Sequence, residues 1–143
     1  MVVLASCSVS KTIISKSSDL AQYEYASIIN DDVYHIPAEL MEYEIPLYDA
    51  VAGSGLELVS DRRIYSLTSQ QQKKLLMVKY GISHNENQTI VTVNFIDYMT
   101  GRPVASCKGA YGLGLTTSAD LKGAIKKVAE LISKTFAPRN DIK

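Results

Sequence analysis

Thr89-Ile90-Val91-Thr92-Val93-Asn94-Phe95-Ile96-Asp97-Tyr98-Met99-Thr100-Gly101-Arg102-Pro103-Val104 is the stretch from which the fold can be read. From Thr89 to Tyr98 the residues alternate, with Val91, Val93 and Phe95 facing one way and Thr92 and Asn94 the other. That is the pattern of a strand with one buried face. Met99-Thr100-Gly101-Arg102 then reverses the chain, and Val104 to Tyr111 returns as the second arm of a hairpin.

Upstream, Leu75 to Ser83 reads as a further strand with Leu76, Val78, Tyr80 and Ile82 on one face, joined to the first through Asn85-Glu86-Asn87-Gln88. Thr68 to Lys73 is a short capped helical turn. Earlier still, Gln22 to Ile29 carries aromatic and β-branched residues and reads as a strand, broken by Asn30-Asp31-Asp32. From Ala38 to Ala52, Leu40, Tyr43, Leu47 and Val51 recur at helical spacing. Pro46 either kinks this helix or starts it. Gly53-Ser54-Gly55 stops it, and Leu56 to Ser60 is a second strand, completing a strand–helix–strand unit with a right-handed crossover. Downstream, Thr117-Ser118-Ala119-Asp120 resembles a capping box with Asp in place of Glu. Leu121, Ala124, Ile125, Val128, Leu131, Ile132 and Phe136 then form one apolar stripe, ended by Pro138.

The expected fold is α+β: a two-layer α/β sandwich with a mixed sheet of about five strands. An antiparallel meander forms part of the sheet, and two main helices cover one face. Residues 19–138 form the single domain, residues 1–18 a truncated signal remnant, lipidation site and tether, and residues 139–143 a tail. The sheet's second face is left for solvent or a partner.

Composition narrows the function classes. The formal net charge is zero, which disfavours a nucleic-acid binder working by general phosphate attraction. Two cysteines make neither a zinc site nor a disulfide framework. The zero conceals a polarity. Between Ser17 and Asp61 there are ten acids and no Lys or Arg; from Arg62 onward there are thirteen basic residues against five acids. Either the two halves fold together and mix their charges, or the surface is bipolar and orients a partner.

The N-terminus supplies an address. Leu4-Ala5-Ser6-Cys7 reads as a lipoprotein processing site, with small residues before a cysteine that would carry lipid. Only six residues precede Cys7, so the charged region and most of the apolar region of an export signal are missing. The serine-rich run from Ser8 to Ser18 suits a tether. With Cys7 acylated, Cys107 is left alone as a small buried residue.

The order of elements, with Val91 to Val104 as its sharpest part, is similar to that of small bacterial envelope lipoproteins. The two related groups are the curli-secretion lipoproteins and the lipoprotein activators of penicillin-binding proteins. In them a strand ending in Asp precedes a Thr-Gly turn, and a helix closes the domain; here these are Asp97, Thr100-Gly101 and the helix from Thr117. The long membrane-inserting hairpins of the curli pore are absent from the sequence. No contact residues of the activators can be matched position by position. The resemblance implies a member of this scaffold, lipid-anchored in the bacterial envelope at the outer membrane facing the periplasm.

Candidate chemical sites are sparse. His35 and His84 are the two histidines, at unrelated positions. Ser8-Val9-Ser10-Lys11 matches a Ser-x-x-Lys pattern but lies in the tether. Gly109, Gly112 and Gly114 lead into a helix N-terminus without completing Gly-x-Gly-x-x-Gly, so an exit from an edge strand explains them better than a phosphate cradle. Glu39, Glu42 and Glu44 suit a solvated helix face. Tyrosines are more telling, with nine of them and no tryptophan. Tyr23, Tyr25 and Tyr80, with Thr92 and Asn94, are the expected binding face; the alternative for the tyrosines is the rim of a thin core. The expectation is a non-enzymatic binding or assembly module for an envelope protein or polymer, with no cofactor, metal or nucleic-acid partner. The alternative is a hydrolase or small-ligand-binding protein with an unrecognised site.

Overall fold

In the computed structural model, residues 10–29, 41–112 and 116–136 of the 143-residue chain are described. Its frame is the meander of β4 (Leu75–His84), β5 (Thr89–Asp97) and β6 (Pro103–Tyr111), all antiparallel. β2 (Tyr25–Ile28) lies parallel to β4, and the two-residue β3 (Glu57–Leu58) lies parallel to β2. The strand–helix–strand unit therefore exists, with α1 (Met41–Gly53) between its strands and Pro46 inside the helix. On the opposite edge β1 (Lys11–Ile14) pairs antiparallel with β6. The six-stranded order is β1-β6-β5-β4-β2-β3.

β1 corrects the reading of residues 1–18 as remnant and tether. Lys11 to Ile14 pairs with Lys108 to Ala105, and the Ser15 amide continues the ladder by donating to the Val104 carbonyl at 2.9 Å. The segment has no core pattern because an edge strand buries little side chain; its hydrogen bonds go to a neighbour that the local sequence does not reveal. Thr12 is drawn into the domain. Its hydroxyl donates to the buried Cys107 Sγ at 3.6 Å, and Thr135 Oγ1 donates to Thr12 Oγ1 at 3.4 Å. Cys7 and His35 lie outside the described residues.

One core lies between the sheet and the helices α1 and α3 (Thr117–Thr135). The sheet contributes Ala26, Ile28, Leu76, Val78, Val91, Val93, Phe95, Ala105 and Cys107; α1 adds Leu47 and Val51. α3 adds Leu121, Ala124, Ile125, Val128 and Ile132, one stripe of about three turns. Phe95 is fully buried, its ring centroid 4.6 Å from that of Phe136.

Two glycines set how closely α3 approaches β6. A Cβ on Gly109 would lie 2.3 Å from the Ala124 carbonyl oxygen and 2.6 Å from the Val128 nitrogen. A Cβ on Gly123 would lie 2.3 Å from the Tyr111 ring. Gly109 is thus a helix-docking residue inside β6 rather than part of a loop exit. Gly112 is equally tight, its Cβ position 2.1 Å from the Asn87 carbonyl oxygen. Gly114 lies outside the described residues.

Caps and turns follow local chemistry, with one shift. The short helix α2 (Ser69–Gln72) has a full capping box between Thr68 and Gln71. α3 is capped by Thr116, not Thr117: the Thr116 hydroxyl accepts from the Ala119 amide at 3.1 Å, so Asp120 is no longer the box partner. In the β5–β6 turn Asp97 Oδ1 accepts from the Thr100 amide at 2.9 Å, and Gly101 sits at φ 73°. A non-glycine residue is strained there.

Candidate binding surface

Alternation through the paired strands sorts every sheet side chain to one of two faces. Thr92 pairs with Lys108 and with Gly81, and Lys108 pairs in turn with Lys11. Asn94 pairs with Ser106 and with Lys79. All these residues lie opposite the helix layer. The centre of the open face is therefore Thr92, Asn94, Ser106, Lys79 and Lys108, with Lys11 and Ile13 at the β1 edge. Ser106 Oγ donates to Asn94 Oδ1 at 2.6 Å, which fixes the amide and leaves its NH2 group outward. On β1, β4, β5 and β6 this face carries three lysines and no carboxylate.

Part of the open face is covered. The 3-10 segment Asp61–Ser66 contacts β2, and Ile64 and Leu75 are buried there although neither belongs to the main core. Gln72 Nε2 donates to the Ile64 carbonyl at 3.1 Å, tying α2 to that segment. Tyr25 lies at the rim of this cover, its hydroxyl accepting from Gln71 Nε2 at 3.4 Å. Beneath it the Ser27 hydroxyl is buried and has no hydrogen-bond partner among the described residues.

Of the five residues expected to form a binding face, Tyr25, Thr92 and Asn94 share the open side. Tyr23 and Tyr80 do not. Tyr23 precedes β2, is buried in the helix-side core, and donates its hydroxyl to Asp97 Oδ2 at 2.6 Å. Burial, followed by the Asp97 carboxylate, raises its pKa to about 12. Burial works to raise Asp97 as well, but the Tyr23 hydroxyl and the backbone donor of Thr100 outweigh it and hold the carboxyl below the usual carboxylate range.

Tyr80 packs against the core and donates to Glu44 of α1. Burial and that carboxylate push its pKa up. Glu44 is therefore a strap between helix and sheet rather than one of three acids on a solvated face. Alternation alone put Tyr80 beside Leu76, Val78 and Ile82, and its hydroxyl marked where the strand leaves the core.

Elsewhere the described residues bring few reactive groups together. His84 closes β4 with Nδ1 2.9 Å from the Thr89 hydroxyl, and no group of three or more His, Cys, Asp or Glu is placed to hold a metal among the described residues. Ser54 turns its hydroxyl back to the Val51 carbonyl and ends α1. Open grooves flank α3. One, of about 710 Å³, runs between Pro46 of α1 and Ile125 and Ala129 of α3, with Lys122 and Lys126 on its wall. No described helix is long and apolar enough to cross a membrane.

No protein-family model and no curated relative matches the chain. Solved structures share its fold. PelC from Paraburkholderia phytofirmans, a dodecamer, is similar over 86% of this chain and 96% of that chain, with 16% identity and a TM-score of 0.55. A single-residue variant of that dodecamer is similar over 87% of this chain and 99% of that one, at 15% identity and a TM-score of 0.51. A PDZ domain protein from Parabacteroides distasonis matches 90% of this chain but 35% of its own, at 11% identity and a TM-score of 0.54. At these identities the likeness is one of fold.

Proposed function

We infer that this chain is a non-enzymatic, lipid-anchored protein of the bacterial envelope. It holds a protein or cell-wall partner on the open face of its sheet, from the periplasmic side of the outer membrane. The observation that carries the reading is that face itself: Thr92, Asn94 and Ser106 set among Lys11, Lys79 and Lys108, with no carboxylate on that face of β1, β4, β5 and β6. A flat surface of hydroxyls, an oriented amide and ammonium groups suits recognition of a partner bearing acidic groups. The cysteine of Leu4-Ala5-Ser6-Cys7 supplies the anchor, and a single acyl chain would not hold durably, so more than one is needed. The envelope reading also draws on the resemblance of Asp97 to Gly101 to small envelope lipoproteins, and on a fold shared with PelC across almost the whole domain.

Two measurements test the two halves of this reading. A fatty-acid probe fed to the native bacterium should label the full-length protein, and Cys7→Ala should abolish the label. Replacing Thr92 and Lys79 together by Glu should remove the partner recovered with the wild-type chain, while the variant remains folded by circular dichroism. Label that survives Cys7→Ala refutes the anchor. A partner retained by the folded double variant refutes the face.

A further inference from the structure

The two lateral flanks of the sandwich differ in a way that the open face does not explain. At one edge of the sheet, β1 exposes Ile13 and Ile14, at 58% and 45% of their surface, on a strand edge that pairs with no further strand among the described residues. Around them stand Lys11, Lys16, Lys108 and, in the last turn of α3, Lys134; Asp19 is engaged as a cap on Ala21. Lys11 pairs directly with Lys108, an arrangement that repels within one copy.

At the other edge, α1 exposes Ile45 at 55% and Tyr48 at 37%. The side of α1 toward α3 presents Glu42 and Pro46, so Ile45 and Tyr48 point elsewhere. Tyr48 lies within reach of the charges of Glu44 and Asp61, which places it over the β3 flank. α1 bears no basic residue, and its exposed Asp49 and the exposed Glu57 of β3 are the acids left for this flank, since Glu42 faces the α3 groove and Glu44 is engaged by Tyr80. Arg62 and Arg63 stand on the neighbouring 3-10 segment, so the acidic character resides in α1 and β3 themselves. Four of the six exposed large apolar side chains among the described residues thus sit on these two flanks, one pair beside lysines and the other beside Asp49 and Glu57.

We propose that the chain associates head-to-tail with further copies of itself, the α1–β3 flank of one copy seated on the β1 flank of the next. A second copy is the occupant because each flank carries what the other lacks: apolar residues bordered by the opposite charge. The flanks are at opposite ends of one sheet, so the contact is heterologous. It makes a ring if the rotation closes and a filament if it does not. The repeated chain of the structurally similar PelC dodecamer suits such a contact. The inference goes beyond the partner-binding reading: it shares Lys11, Lys108 and Ile13 with the open face, whereas Ile14, Lys16 and the α1–β3 flank belong to it alone.

Sedimentation velocity on the full chain in mild detergent, at about 50 mM and about 500 mM salt, tests it, because the screening length differs roughly threefold between them. Species larger than a dimer are expected at low salt, shrinking at high salt. Lys11→Glu with Lys16→Glu, or Asp49→Lys with Glu57→Lys, should each weaken association at least about tenfold while the fold is kept. The variant carrying all four substitutions should assemble again, because its flanks are complementary with the signs exchanged. A monomer under every condition overturns the proposal. So does a closed dimer, an oligomer that both reversals leave intact, or a folded fourfold variant that stays dissociated.

Discussion

The two faces of this one sheet are built from alternate residues of the same strands, yet they obey different constraints. On the helix side, Val91, Val93 and Phe95 of β5 meet Ala105, Cys107 and Gly109 of β6, and each position is shaped to α3 above it. On the open side, Thr92 and Asn94 meet Lys108 and Ser106 with room to spare. Position within the pleat, not strand identity, decides whether a substitution is tolerated.

The largest break is expected at Gly109. Its Cβ would meet helix backbone, which cannot swing aside as a side chain could. Gly109→Val should displace α3 and cost about 3 kcal/mol or more, or prevent folding, as read by urea denaturation.

Phe95→Ala comes next, at about 3–5 kcal/mol, because it removes a fully buried ring that also contacts Phe136. Asn94→Ala, one residue away on the open face, should stay within about 1 kcal/mol by the same measurement, the loss of one half-exposed hydrogen bond. A similar cost for both would mean that the second face is also packed.

Removing residues 1–18 sharpens the comparison at the sheet edge. A simple tether could be cut without effect, whereas β1 pairs with β6 and its Thr12 touches Cys107 and Thr135. The melting temperature should fall by several degrees, at about 3–5 °C for each kcal/mol lost in a domain of this size.

The smallest effect concerns Tyr23 and Asp97. Tyr23→Phe should cost about 1 kcal/mol near neutral pH. The Tyr23 pKa is raised to about 12, so its contribution is complete below the ordinary tyrosine value of 10.0 and is lost as pH rises toward 12. Asp97 is shifted the other way: its contribution is complete above the unfolded value of 3.8 and disappears as pH falls through the lower folded value. The pH dependence of unfolding in the wild type and in Tyr23→Phe should show the alkaline arm flattened in the variant.

Much of this was legible residue by residue. The meander, the strand–helix–strand unit and the closing helix all follow from periods of two and of 3.6, because each element buries one face of its own making. For the same reason alternation puts Thr92 and Asn94 on the side of the sheet opposite the helices. It does not decide Tyr23 and Tyr80, since a tyrosine suits a core rim and an open surface equally well, and only partners distant in sequence, Asp97 and Glu44, choose between them. Thr116 was passed over because Thr117 offers the same hydroxyl one residue later, and the choice rests on backbone geometry.

The sequence by itself determined the period of each element, the sign of its charge and the turn at Asp97 to Gly101, all of them interactions within a few residues. Tertiary structure alone decided that Lys11 to Ile14 is an edge strand. It decided too that Gly109 is a docking point, and that Lys11 from the start of the chain stands beside Lys108. Those outcomes depend on contacts between residues from about 15 to about a hundred positions apart, and local pattern carries no record of such a neighbour.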